Sequence, residues 1–138
     1  KDLSSFLKKN QIQNVKLNKY LSIKDYFYAS KKCDLFLMTI RNKKAFNHTM
    51  PARLSTALAM GLPIISYGSK EVNNVIEKSR SGYAIKANKF ENLVNKIIDF
   101  YKLSYIQKKK IKQNSYLYYK KYFNKNRQLQ KINKILEL

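Results

Sequence analysis

The run Asp34-Leu35-Phe36-Leu37-Met38-Thr39-Ile40 constrains this chain more than any other stretch. A nearly continuous apolar run of this kind predicts a strand covered on both faces, as in a parallel sheet. A second one, Leu62-Pro63-Ile64-Ile65-Ser66-Tyr67, confines its proline to the first residues, where a strand tolerates it. Between the two lies a helical pattern with Leu54, Ala57 and Leu58 on one face. Pro51 opens it at a first-turn position and Gly61 closes it. Gly68-Ser69-Lys70 then turns into a helix bearing Val72, Val75 and Ile76, and Gly82 precedes a short strand over Tyr83–Ala87. Strands alternating with helices predict an α/β fold: one doubly wound parallel sheet with helices on both faces.

The flanks extend the same pattern. Leu3, Phe6 and Leu7 sit at helical spacing up to Asn10, and Val15–Leu21 alternates as a half-buried strand does. Asp25–Cys33 reads as a short helix carrying Tyr26, Phe27 and Ala29, with Cys33 packed in the core before the next strand. Phe90, Leu93, Val94, Ile97, Ile98 and Tyr101 form an amphipathic stripe that predicts a helix against the sheet. From Ser104 to Leu138 the pattern is helical, with a break near Phe123-Asn124. With no Pro/Gly/Ser-rich linker and no repeat, residues 1–138 read as one lobe, and 104–138 as its helical C-terminal extension. The start, Lys1-Asp2-Leu3-Ser4-Ser5, lacks the apolar core of a signal peptide and an initiating methionine, so the chain reads as a piece of a longer protein. No apolar stretch approaches the roughly 18 residues of a membrane-spanning helix.

Charge and single residues narrow the chemistry. The chain carries 29 Lys+Arg against 8 Asp+Glu, a formal net charge of +21. Only Arg41, Arg53, Arg80 and Arg127 are arginine. Phosphate or groove readout favours arginine's planar fork, so a lysine excess speaks first for solvated surfaces and loose attraction to anions. One cysteine, Cys33, excludes an intrachain disulfide, and one histidine, His48, leaves no zinc-type cluster. Gly61, Gly68 and Gly82 cannot supply a Gly-x-Gly-x-x-Gly or a P-loop. Glu71 and Glu77 lie six residues apart and do not share a helix face.

Ligands of an open parallel sheet bind beyond the carboxyl ends of its strands. Three loops meet that condition: Tyr20-Leu21-Ser22, Arg41–Met50 and Tyr67–Lys70. The second carries Arg41, Lys43, Lys44, His48 and Thr49 and enters a helix at Pro51. Unpaired amides and the helix dipole favour an anion there, with Arg41 and Arg53 placed to add charge-assisted bonds. The plainer reading is a loop in which Thr49 caps the helix and the lysines face water. Two readings also stand for the Lys108–Phe123 segment, whose tyrosines interleave with lysines. Its aromatics pack on the sheet while the lysines snorkel outward, or the segment contacts a membrane or polyanion.

The stretch Pro51-Ala52-Arg53-Leu54-Ser55-Thr56-Ala57-Leu58-Ala59-Met60-Gly61-Leu62-Pro63-Ile64-Ile65-Ser66 resembles the donor-binding C-terminal lobe of retaining GT-B fold glycosyltransferases. Members commonly show Pro-x-Lys/Arg-Leu, a helix ending in Ala-x-Gly-x-Pro, then an apolar strand. The resemblance covers about residues 3–103, and Tyr122–Leu138 is more loosely similar to the family's terminal helix, which crosses back toward the other lobe.

The resemblance implies a Rossmann-like lobe that binds a UDP- or GDP-linked sugar, with no further cofactor and no metal. It places the base near Tyr20 and Leu21, and the phosphates near Arg41, His48, Thr49 and Met50, beside the Arg53 that the charge argument already adds. The family's ribose-binding glutamate aligns with Thr56, and an acidic residue eight positions earlier aligns with His48, so both carboxylates are replaced here. A threonine hydroxyl still hydrogen-bonds a ribose, more weakly than a carboxylate does. The implied enzyme transfers a sugar to a glycan or lipid-linked acceptor in cell-surface polysaccharide synthesis. It would be inactive without its acceptor-binding N-terminal lobe, and cytoplasmic or peripheral on the inner face of the cell membrane. An anionic membrane surface is then a candidate partner, and nucleic acid is not expected. The alternatives are a basic binding module for nucleic acid or membrane, and a GT-B-like lobe without donor use.

Overall fold

Ile64, Ile65 and Ile85 carry branched side chains that suit a pleated, buried surface, and the sheet forms around them. Its strands are β1 (Phe36–Thr39), β2 (Ile64–Gly68) and β3 (Gly82–Lys86), in the order β1-β2-β3 and all parallel. Phe36 stands opposite Ile64, and Ile64 opposite Gly82. The structure is a computed structural model that describes residues 2–41, 49–86 and 89–136. These fall into two compact units, Lys1–Lys32 and Cys33–Leu138.

In the larger unit the helices are α3 (Ala52–Ala59), α4 (Lys70–Ser79), α5 (Phe90–Lys102), α6 (Tyr105–Tyr122) and α7 (Lys125–Ile135). Side chains alternate across the sheet, as the pleat requires. Phe36, Met38, Ile64 and Ala84 face one side, where Leu54, Ala57 and Leu58 of α3 and Val72, Val75 and Ile76 of α4 meet them. Ile65, Tyr67, Tyr83 and Ile85 face the other, against Leu93 and Phe100 of α5. The sheet is therefore wound on both faces.

The expected helix end at Gly61 is present in detail. Gly61 takes φ +65°, its N–H donates to Leu58 C=O at 3.0 Å, and Leu62 N–H donates to Ala57 C=O at 3.0 Å. That pair of bonds is a Schellman cap, and the residue in the left-handed position favours glycine. Helix α6 opens with a capping box in which Ser104 and Gln107 satisfy each other's amides. Its Ser115 hydroxyl donates to Leu62 C=O at 2.8 Å, and its Asn114 amide donates to Arg80 C=O at 3.2 Å. Both acceptors lie just before a strand, so α6 is tied to the amino-terminal end of the sheet. Tyr118, Tyr119 and Phe123 pack on the core beside α3 and α4. Burial and the neighbouring Tyr122 hold the Tyr118 hydroxyl above the usual tyrosine range. The break after α6 falls where the sequence put it, with Asn124 capping α7.

The smaller unit contains α1 (Leu3–Lys9), capped by Asp2, and α2 (Ile23–Lys31), capped by Ser22. The Ser22 hydroxyl also donates to the Asp25 carboxylate at 2.6 Å.

Several expectations need correction. The strand expected over Val15–Leu21 is not formed; those residues belong to no helix or strand, with Val15 and Leu17 nearly half exposed. The helix expected over Asp25–Cys33 starts earlier, at Ile23, because Ser22 is its cap, and Cys33 is exposed rather than packed in the core. β1 is not covered on both faces: Met38 is 3% exposed but Leu37 is 44% exposed, since the face that α5 covers lies over β2 and β3. In α5 the expected stripe is rotated. Leu93 and Phe100 are buried, while Phe90, Val94, Ile98 and Tyr101 are exposed. Pro51 is the N-cap of α3 and not its first helical residue.

Candidate functional site

The parallel strands all deliver their carboxyl ends to one edge of the sheet, and the starts of α3 and α4 lie at that edge. How closely β1 and β2 approach there is set by Gly68. It sits at φ +116°, and a Cβ on it would lie 2.1 Å from the Ile40 carbonyl oxygen. Only glycine fits such an approach. Ile40 N–H in turn donates to Tyr67 C=O at 2.9 Å, so the chain leaves β1 from a fixed point and Arg41 follows directly. Arg41 is exposed.

The two helix starts at this edge differ in charge. α4 is answered from within the fold: the Ser69 hydroxyl accepts from Val72 N–H, and Glu71 places a carboxylate in the first turn. α3 is not. Its N-cap, Pro51, has no side-chain group to offer, and its first turn holds no acidic residue. Instead it holds Arg53, exposed, one position inside the helix start. The positive end of the α3 dipole thus receives no side-chain bond from its own N-cap residue and has a cation beside it. That arrangement suits an anion bonded to backbone amides.

Thr56 lies one turn further along α3 and is half-buried. Its hydroxyl donates to Ala52 C=O at 3.3 Å, as Ser55's does at 2.8 Å. The Thr56 oxygen keeps its acceptor capacity. Thr49 and Met50 are exposed in the segment entering α3, and Thr49 is not the cap that the plainer sequence reading gave it. His48, with Lys43 and Lys44, falls outside the described residues. Tyr20, fully open to solvent, and half-buried Leu21 belong to the smaller unit, just before the α2 cap. The structure therefore brings Arg41, Thr49, Met50, Arg53 and Thr56 to one strand-to-helix crossover.

One contributor escaped the sequence. Ser66 in β2 donates its hydroxyl to Asn73 Oδ1 at 2.6 Å, and Asn73 Nδ2 donates to Ile85 C=O at 3.1 Å. This buried tie locks α4, β2 and β3 together immediately behind the site edge. Its signal was an asparagine among the apolar positions Val72, Val75 and Ile76. Among the described residues no three His, Cys, Asp or Glu side chains gather as metal ligands, and no helix is long and apolar enough to cross a membrane.

A family model described as glycosyl transferases group 1 matches residues 3–118. No curated protein and no solved structure matches the chain.

Proposed function

The chain belongs to the glycosyl transferases group 1 family, and from that premise we propose that it is the C-terminal, donor-binding lobe of a retaining glycosyltransferase. Its donor is a UDP- or GDP-linked sugar. The observation that carries the reading is the start of α3: a proline N-cap with no side-chain bond, no acid in the first turn, and Arg53 beside it, on the crossover that leaves β1 at Arg41. An exposed, electropositive helix start at the carboxyl edge of a parallel sheet is suited to a diphosphate.

The division of labour follows the same geometry. The amides at the start of α3 take the diphosphate, and Arg41 and Arg53 supply charge-assisted bonds to it. Thr49 and Met50 line its approach. Thr56 accepts from a ribose hydroxyl, standing where the family resemblance has a carboxylate. In transfer, the bond between the sugar's anomeric carbon and the diphosphate oxygen breaks, and the electron pair leaves on that oxygen. The acceptor hydroxyl oxygen forms the new bond to that carbon, and its proton passes to the departing diphosphate oxygen. Holding the leaving diphosphate in a field of fixed dipoles lowers the barrier without reorganisation in the transition state. The acceptor, a glycan or a lipid-linked saccharide of a cell-surface polysaccharide, is bound by an N-terminal lobe of the same protein.

Thermal-shift titration of the full-length protein with UDP- and GDP-sugars tests this. A donor at about 100 times its Kd stabilises by about 2.7 kcal/mol. The shift with one nucleotide series should shrink in Arg41→Ala and in Thr56→Ala. No shift with any nucleotide-sugar would overturn the reading.

A further inference from the structure

The end of the sheet away from the donor edge holds an open cleft. Helix α4 ends there, and α6 is tied there by the Ser115 bond to Leu62 C=O and the Asn114 bond to Arg80 C=O. The cleft between the two helices has a volume of about 580 Å³. That size suits a small ligand, and the lining combines aromatic surface with a few polar groups, as such sites do. Any partner that meets the donor edge stands at the opposite end of the sheet. α7 is in place and lines none of the cleft.

Two kinds of group meet there. Leu117, Tyr118 and Tyr122 give apolar surface, with the two tyrosine rings 4.5 Å apart and tilted by 41°. Asn114, Lys78 and Lys121 give polar groups, and no acidic side chain lines the cleft. Asn114 uses one amide N–H on Arg80 C=O, which leaves a second donor and the amide oxygen. The Lys121 ammonium stands 5.1 Å from the Tyr122 ring centroid, so a cation is held against the aromatic surface. Among the described residues neither Lys78 nor Lys121 is ion-paired.

That combination matches a charged pyranose. A sugar ring offers a face of C–H groups to an aromatic ring and a rim of hydroxyls to amide and ammonium donors. Two lysines with no acid opposite them favour a sugar that carries a carboxylate. A nucleic acid also stacks on tyrosine, but its phosphates call for arginine's planar fork, and the cations here are lysines. Saccharides are also what a glycosyl transferase handles.

We propose that this cleft is a holding site for an acidic saccharide chain, in which Tyr118 and Tyr122 stack on a sugar ring while Lys78, Lys121 and Asn114 bind its carboxylate and hydroxyls. A chain gripped there keeps its free end at high local concentration around the protein. The site rests on the family and not on the donor reading, so a failed nucleotide-sugar titration leaves it standing.

Isothermal titration of the full-length protein with hexagalacturonate, maltohexaose and hexathymidylate tests it. Hexagalacturonate should bind saturably, and neutral maltohexaose about tenfold more weakly. Tyr122→Ala, and Lys78→Ala with Lys121→Ala, should each weaken hexagalacturonate by about tenfold. Neither change should alter the response to nucleotide-sugars. All three side chains are exposed, so both variants should fold as the parent does, and the lysine pair decides alone if Tyr122→Ala does not. Four results would overturn the proposal: no saturable binding of hexagalacturonate; equal binding of maltohexaose; binding undiminished in either folded variant, which places the sugar elsewhere or reduces the contact to charge attraction; or tighter binding of hexathymidylate through the same residues, which makes the cleft a nucleic-acid site.

Discussion

Replacing Gly68 with alanine tests how the functional edge is built. The new Cβ would lie 2.1 Å from the Ile40 carbonyl oxygen, more than 1 Å inside ordinary contact. The obstacle is backbone, so no side-chain rotation relieves it. Either β1 moves away from the end of β2 or Gly68 leaves its φ of +116°. The first breaks the 2.9 Å bond from Ile40 N–H to Tyr67 C=O, worth about 1 kcal/mol. Retaining the conformation costs alanine about 1–3 kcal/mol of backbone strain. Together these predict a loss of about 3 kcal/mol, a large share of the roughly 5–15 kcal/mol that holds a domain folded. For a chain of this size that is a fall of about 10 °C in melting temperature. Differential scanning calorimetry reads it directly. The same displacement carries Arg41 with it, so the donor-induced shift should weaken further than stability alone explains. A variant melting within about 2 °C of the parent would refute the close approach and the account of how Arg41 is placed.

Further outcomes follow from the buried polar groups. Asn73→Ala strands the Ser66 hydroxyl and the Ile85 carbonyl, and should cost about 2–4 kcal/mol in urea denaturation. Adding Ser66→Ala to it should cost less than it does alone, and strict additivity would show that the two do not interact. The raised Tyr118 pKa means that the folded state keeps this proton longer than the unfolded chain does. Its contribution is therefore full below the unfolded tyrosine value of about 10 and fades as pH rises through the folded one. The alkaline loss of stability should be shallower in Tyr118→Phe, and an identical pH profile would contradict this.

The sequence made the sheet legible because its strands are bounded by strong punctuation. Gly61, Gly68 and Gly82 stand at positive φ at a helix end, a strand end and a strand start, and the apolar runs beside them are what the core is made of. Val15–Leu21 had alternation without a partner, and alternation says which side chains share a face, not whether another strand will bond to them. α5 was misread for a related reason. It has two adjacent apolar seams, and periodicity cannot tell the one through Leu93 and Phe100 from the one through Phe90, Val94, Ile98 and Tyr101. At the site, the helix start and its arginines were readable because helix entry and charge are local. The missing cap was not: the loop offered Thr49, and whether it or Pro51 becomes the cap depends on where the first helical turn closes. The Ser66–Asn73–Ile85 tie joins three elements and leaves only an asparagine in an apolar face as its trace.

The central claim is that the start of α3 holds a nucleotide diphosphate. Backbone amide NMR during titration with UDP and with GDP reads this residue by residue. The account predicts that one of the two shifts the amides of Ala52, Arg53 and Gly68 saturably, and that phosphate alone moves the same amides more weakly. Shifts confined to the lysines and amides of α6 and α7, or none at the start of α3 with either nucleotide, would contradict it.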